Sequence, residues 1–294
     1  MYEPDITVIT PTYNLVENEK ADDFTLLVNL LDKQTYPYVE HLIMDNASTD
    51  ETVVLLKEYK NSGFLNFYSA PDNGKYDAIN KGLMHAKGKY VSILSCDDFY
   101  HDVTAIYDIV NLMEAENADF CFFPAYCTDP KDSSVVFLFN PAIHNIFQAM
   151  PCSHQAMFFK REALEKLGYF DTKFKIMADY DLMIRLVMNK FKGVMFNGNV
   201  LTYKMSENAI KHSVQVEAEC SHIYHKNFRN IYPITDEITD RIVKMAEIPK
   251  PLLDRLASYF PQDRDLFFQR YQDMYNLRLQ NAKIMKEQER NNRR

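Results

Sequence analysis

Two adjacent carboxylates, Asp97 and Asp98, end the segment YVSILSCDD, directly after an apolar run that reads as a short buried strand. Like charges at a low-dielectric sheet edge raise each other's pKa unless positive charge stands beside them. A hard divalent cation meets that need, because Mg²⁺ or Mn²⁺ is held by one or two carboxylates and completes its shell with water and substrate phosphates. A plainer reading stays open, in which one carboxylate caps the next helix and the other faces water. Asp102, directly before Val103, is the better placed cap. Two further polar segments follow apolar runs in the same way, Thr10-Pro11-Thr12-Tyr13-Asn14 and Asp45-Asn46-Ala47-Ser48. Ligands of open α/β sheets bind beyond the carboxyl ends of the strands, so all three segments are expected to open onto one crevice.

The elements that must position these residues alternate regularly. Residues 5–10, 40–45, 66–69 and 90–94 read as strands, and 22–34, 48–59 and 76–85 as helices between them. Ser48 and Glu51 stand as S-x-x-E, the spacing of a capping box, and Gly88 is placed to end the third helix. This alternation predicts an α/β fold with a mostly parallel central sheet and helices on both faces. The rhythm then changes: a helix over 103–115, strands over 119–123, 135–139 and 155–159, and helices over 161–167 and 180–189. From about Ala209 only helical patterns remain, divided by Pro249, Pro251 and Pro261. In the last of them Phe268, Tyr271, Tyr275, Leu279 and Ala282 recur at three- and four-residue intervals, one apolar helix face.

Composition excludes several classes. At 294 residues the chain can bury a sizeable core. Its net charge of −8 is uneven, with 12 Lys/Arg against 7 Asp/Glu in residues 241–294, so the body is strongly acidic and nucleic acid is a poor partner. Five cysteines without a CxxC pair or zinc spacing suit a reducing cytosol. No run approaches the roughly 18 apolar residues of a membrane span, and MYEPDITVIT lacks signal-peptide character, so a cytoplasmic protein is expected, at most peripheral to a membrane. Only seven glycines occur, with neither GxGxxG nor GxxxxGK[ST], which removes the main support for a dehydrogenase or P-loop enzyme.

Six co-linear pieces between about residues 5 and 205 carry a family resemblance: TPTYN (10–14), QTYPYVEHLIMDNASTDET (34–52), DNGKYDAINKG (72–82), SCDD (95–98), HQAMFFKREALEKLGYFD (154–171) and ADYDLMIRL (178–186). Together they resemble family 2 glycosyltransferases, and more narrowly the bacterial members that build O-antigen, capsule or exopolysaccharide repeats. The resemblance implies a GT-A fold, a UDP-linked sugar donor, a divalent metal (Mn²⁺ or Mg²⁺) and inverting transfer. It divides the chain into a catalytic domain at 1–205, with a nucleotide-sugar half at 1–98 and an acceptor half at 99–205, and a helical C-terminal extension at 206–294.

Matched position by position, the resemblance implies that Asp98 binds the metal and that Asp97 touches the ribose or the metal. Asp45 and Asn46 match the pair that reads the base. Many members have two aspartates there, and Asn46 cannot act as an anionic acceptor. Asp179 matches the catalytic base, which takes the acceptor's hydroxyl proton as the bond to the sugar forms. Read without the family, Asp179 is a helix cap, and Asp181 two residues on competes for the base role. Thr10, Pro11, Tyr13 and Asp77 are assigned to the nucleotide, and Asn80, Lys81, His154 and Asp181 to donor or acceptor, with a polar helix start as the bland reading of Asp77, Asn80 and Lys81. His212 is the candidate for a further metal ligand, with His222 and His225 close by in the chain.

The expected acceptor is a saccharide, polyprenyl-diphosphate-linked, with the basic tail KIMKEQERNNRR as the contact to anionic lipid at the inner membrane. A solvated tail explains the same charges, and the C-terminal helices are open to a homodimer interface or an acceptor-side wall. The rival to the enzyme reading is a non-catalytic GT-A-like protein that binds nucleotide or sugar, and it would lack either the acidic pair or the base.

Overall fold

The structure, a computed structural model, describes residues 5–129, 132, 134–205 and 212–292. The chain forms two compact units: one of Met1–Pro141, Cys152–Leu182 and Phe191–Ile210, the other of Ala142–Pro151, Met183–Lys190 and Lys211–Arg294.

In the first unit, β1 (Ile6–Thr12), α1 (Ala21–Asp32), β2 (Val39–Asp45), α2 (Thr52–Asn61), β3 (Asn66–Ser69), α3 (Lys75–His85) and β4 (Tyr90–Ile93) alternate as expected. After them come β5 (Phe99–Tyr100), α4 (Ala105–Glu116), β6 (Phe120–Phe122), β7 (Ala125–Thr128), β8 (Val136–Phe139), β9 (Met157–Lys160), α5 (Arg161–Leu167), the start of α6 (Ala178–Met188, which belongs to the second unit from Met183 on), β10 (Gly193–Met195) and β11 (Leu201–Lys204). The central sheet has the order β10-β6-β9-β4-β1-β2-β3. All its pairings are parallel except those of β9, which runs antiparallel between β4 and β6. Strands paired on both edges are buried on both faces, and in β1 and β4 the apolar residues Ile6, Val8, Ile9, Val91 and Ile93 are interrupted by Thr7, Thr10 and Ser92, whose buried hydroxyls are bonded to Glu40, His41 and Tyr100. Ile6 and Val8 of β1 pack with Ile106, Ile109 and Met113 of α4, while Ile43 of β2 packs with Phe24, Val28 and Leu56 of α1 and α2. A second sheet, β5-β11-β7-β8, is small. Its last strand leaves Val136, Phe137, Leu138 and Phe139 all more than a third exposed.

Three local expectations are corrected. The Ser48/Glu51 capping box does not form: α2 begins at Thr52, whose N–H is taken by Asp50, and Ser48 donates instead to Asp45. Helix α4 begins at Ala105, where Asp102 accepts from the Thr104 N–H and Gln34, 72 residues away from Ile106, accepts that residue's N–H. Helix α3 ends at His85 as expected, but Ala86 rather than Gly88 is its C-cap, with its N–H donated to the Gly82 carbonyl. Glycine is needed at 88 because a Cβ there would lie 2.5 Å from the Thr7 nitrogen and 2.6 Å from the Ile6 carbonyl carbon.

The second unit is helical: α7 (Ser213–Phe228), α8 (Asp236–Met245), α9 (Lys250–Leu256) and α10 (Arg264–Asn292). Phe147 is its aromatic centre, with ring contacts of 5.8–6.2 Å to Phe228, Tyr259, Phe260 and Phe267. Thr235 caps α8 and Pro249 precedes α9, as helix-start chemistry requires. The predicted stripe of α10 is real: Phe268, Tyr271, Tyr275, Leu279 and Ala282 are half-buried on a helix that is otherwise mostly exposed.

Candidate active site

The register of the sheet brings the polar strand ends together. Thr12 is paired with Asp45, so β1 and β2 end together, whereas β4 ends at Ile93 opposite Ile9 and the Leu94 N–H donates to the Ile9 carbonyl, which starts the Ser95–Asp98 segment beside the last residues of β1. Asp45 is buried and receives the Ser48 N–H at 3.0 Å and the hydroxyls of Ser48 at 2.5 Å, Ser69 at 2.6 Å and Thr12 at 3.4 Å. Those bonds replace the water that an ionised carboxylate loses on burial. Asn46 accepts the Asp72 N–H at 2.7 Å, which fixes its amide with the oxygen toward the loop before α3. Thr10 is buried against His41 at 3.1 Å, Pro11 is half-buried and Tyr13 is 53% exposed. Asn14 follows at φ +44 and ties the β1 end to the segment after β2, accepting the Thr49 N–H and donating its own N–H to Ser48.

Beyond β4 the acidic pair divides its environment. Asp98 is 1% exposed and accepts the backbone N–H of Ser95 at 2.7 Å and of Lys204 at 3.3 Å. Burial first, and then the Asp97 charge, push its pKa up to about 7 against those bonds. Asp97 faces the Lys20 ammonium at 3.0 Å, which also pairs with Asp23 at 3.1 Å. Partial burial works against the Lys20 charge, but the bonds to Asp97 and Asp23 outweigh it and raise the pKa. Lys20 was invisible as a site residue because it lies 77 positions from Asp97 in a stretch with no pattern. The donor chemistry suits a hard divalent cation, since a buried carboxylate of raised pKa stands beside a second carboxylate. His212 is exposed at the start of α7, in the second unit. Among the described residues no three His, Cys, Asp or Glu side chains converge as a ready metal cage.

The segment opening α3 is tied into its own loop. Gly74, at φ +109, is its N-cap. Asp77 accepts the Asn73 N–H at 2.9 Å and pairs with Lys81 at 2.9 Å, and the Lys81 bond leads the causes that lower its pKa. Lys81 also donates to the Pro71 carbonyl. Both ends of the Asn80 amide are bonded to the backbone of Phe170.

Asp179 is the second residue of α6 rather than its cap, and is 5% exposed. One oxygen lies 2.8 Å from His154 Nδ1 and the other accepts the Tyr180 N–H at 2.9 Å. Burial pushes its pKa up, yet the His154 bond and the His154 and Lys75 charges prevail and hold the carboxyl below its usual range. His154, 3% exposed in a single turn before β9, has its pKa lowered by burial and then by Lys75, against the pull of Asp179. Tyr76 stands against the pair, its ring 6.4 Å from His154, and its hydroxyl donates to the Ile176 carbonyl. Asp181 is fully buried, with its N–H donated to Met177. A bonded Asp–His pair from segments 25 residues apart is what sequence spacing does not reveal.

Comparison with known proteins adds three findings. Residues 7–168, more than half of the chain, match the family described as Glycosyl transferase family 2. An uncharacterised glycosyltransferase of Rickettsia typhi is 26% identical over 216 residues, 68% of this chain and 63% of its own length, so the chain spans less than two thirds of that relative. A PGL/p-HBAD biosynthesis glycosyltransferase of Mycobacterium bovis is 27% identical over 195 residues, 64% of this chain and 72% of its own. Among solved structures, S. aureus TarS 1–349 with UDP-GlcNAc superposes with TM-score 0.60 at 16% identity, over 93% of this chain and 89% of that one. A mannosyltransferase from Pyrobaculum calidifontis with GDP-Man and Mn²⁺ gives 0.58 at 20%, over 95% and 85%. The fold is that of GT-A glycosyltransferases, a mixed α/β domain with C-terminal helices.

Proposed function

The chain belongs to glycosyl transferase family 2 and is a glycosyltransferase, and from that premise we propose that it moves a hexose or N-acetylhexosamine from a UDP-sugar to a saccharide hydroxyl with inversion at C1. One observation carries the reading: β1 lies between β2 and β4, so that Asp45 and Asn46, at the end of β2, and Asp97 and Asp98, after β4, flank it at the carboxyl ends of the parallel strands. The UDP-GlcNAc complex of TarS supports a UDP-linked donor, and the Pyrobaculum complex with GDP-Man and Mn²⁺ supports a nucleotide-sugar donor and a divalent metal.

In this proposal Pro11, Tyr13, Asp45, Asn46 and Asp77 line the nucleoside, Thr10, fully buried against His41, supports them from within the sheet, and Asn46, its oxygen committed to Asp72, offers an N–H to a base carbonyl. Asp98, with Asp97, holds Mg²⁺ or Mn²⁺, which when bound supplies positive charge to the leaving diphosphate. Lys20 holds Asp97 in place until the donor arrives. The buried Asp179–His154 pair receives the acceptor's proton on the face of C1 opposite the diphosphate, and a single displacement inverts the centre. Lys81 is close enough to its loop to order the donor side, while Asn80 and Asp181, bonded and buried, shape the walls. Residues 1–205 make the catalytic domain and 206–294 the extension. We place the reaction at the cytoplasmic face of the inner membrane on a polyprenyl-diphosphate-linked acceptor, in surface-polysaccharide synthesis. The basic tail makes the lipid contact, and the C-terminal helices are the candidate homodimer surface.

Titration calorimetry with UDP, GDP and CDP, each with and without Mn²⁺, tests this. UDP alone is expected to bind, more tightly with Mn²⁺, and Asp98→Ala to remove the Mn²⁺ enhancement by at least about tenfold. Preference for GDP would redirect the donor class. Absence of any nucleotide binding would defeat the reading.

A further inference from the structure

The pair at the start of α6 has a direction. Asp179 lies 2.8 Å from Nδ1 of His154, and a carboxylate can only accept, so Nδ1 carries a proton, and in the neutral imidazole that burial favours Nε2 is left with a bare lone pair. Nε2 has no hydrogen-bond partner among the described residues and is not one of the buried nitrogens sealed without a partner. Asp179 is differently placed: its oxygens take the imidazole N–H and the Tyr180 N–H, bonds that stabilise the carboxylate and weaken it as a base. The ionisable groups around the pair are Lys75, Tyr76 and Cys152. The Lys75 ammonium lies 4.6 Å from the centre of the Tyr76 ring.

Resting on the glycosyltransferase reading, we infer that the atom taking the acceptor's proton is Nε2 of His154, and that Asp179 is its positioning residue. The acceptor oxygen forms its bond to C1 as the C1–O bond to the diphosphate breaks, and the diphosphate leaves with that electron pair. The hydroxyl proton passes to Nε2, leaving an imidazolium against the Asp179 carboxylate, and is later released to water. Burial alone disfavours an imidazolium, so the 2.8 Å carboxylate is what makes the protonated state reachable. A carboxylate-backed imidazole of this kind loses its function when the carboxylate becomes an amide, because an amide N–H can donate to Nδ1 and invert the tautomer.

The test uses the full chain. Long-range ¹⁵N–¹H spectra of histidine-labelled protein, with His154 assigned among eight histidines by its loss in His154→Asn, are expected to show protonated Nδ1 and bare Nε2 at pH 7. Asp179→Asn is expected to reverse that pattern. The asparagine of His154→Asn can still donate to Asp179 but offers no base, so turnover of UDP-sugars is expected to fall at least ~10²-fold with UDP affinity unchanged within about twofold. Wild-type turnover in His154→Asn would return the base to Asp179, and an Nε2–H tautomer in the wild type would overturn the inference without any turnover. Loss of UDP binding by the variant would assign His154 to the fold and overturn it as well. Failure of the wild type to bind UDP defeats the transferase reading alone, since the tautomer is read without nucleotide.

Discussion

At the scale of single residues, the acidic pair is two different carboxylates. Asp98 is enclosed by backbone donors and Asp97 is bridged to Lys20. A cation entering beside them competes with the Lys20 ammonium for Asp97. Lys20→Gln is therefore expected to strengthen Mn²⁺ binding several-fold in the absence of nucleotide, read by calorimetry. Weaker binding would mean that Lys20 orders the site rather than occupying it. Asp97 and Asp98 stood out because paired charge at a strand end departs from the local pattern, whereas Asp179 was singled out by the family resemblance, since a carboxylate at a helix start reads by itself as a cap. Lys20, Ser69, Lys75 and Tyr76 were not, since ordinary polar and aromatic residues gain their meaning only from partners far away in the chain.

Among the elements, β2 carries a histidine in the interior of the sheet. His41 is 5% exposed, meets Thr10 through Nε2, leaves Nδ1 unpaired and lies 6.4 Å from the Phe24 ring. Burial pulls its pKa down to about 3. The unfolded chain takes up a proton below about 6.5 while the folded one does not, so stability falls as pH drops from 6.5 toward 3, by about 1.4 kcal/mol per unit. Urea unfolding at pH 7, 5.5 and 4 is expected to show a loss of up to about 3 kcal/mol, and His41→Phe to flatten that slope. An unchanged slope in the variant would place the acid sensitivity elsewhere. The alternation of strands and helices through β4 was readable because each period is set by burial on known faces. The starts of α2 and α4 were not, because Ser48 turns its hydroxyl back to Asp45 instead of capping the helix and Gln34 reaches the Ile106 N–H from 72 residues away.

Over the whole molecule, the sequence pattern separated strand-bearing from helical regions, yet the second unit also draws in residues 142–151 and 183–190, short segments with no compositional boundary. Phe147 shows why: a phenylalanine in a connecting loop becomes the centre of an aromatic cluster whose other members begin 81 residues later, at Phe228. The antiparallel strand β9 has a further consequence, for synthesis on the ribosome. It completes the middle of the sheet between β4 and β6, but Lys160 emerges 67 residues after Ile93. Until then β4 presents an open apolar edge, the kind of surface on which nascent chains aggregate. A fragment of residues 1–98, although it contains four strands, three helices and the acidic pair, is thus expected to be insoluble or to bind chaperones, while the full chain remains soluble. A soluble, cooperatively unfolding 1–98 fragment would show that β1 to β4 need no closure.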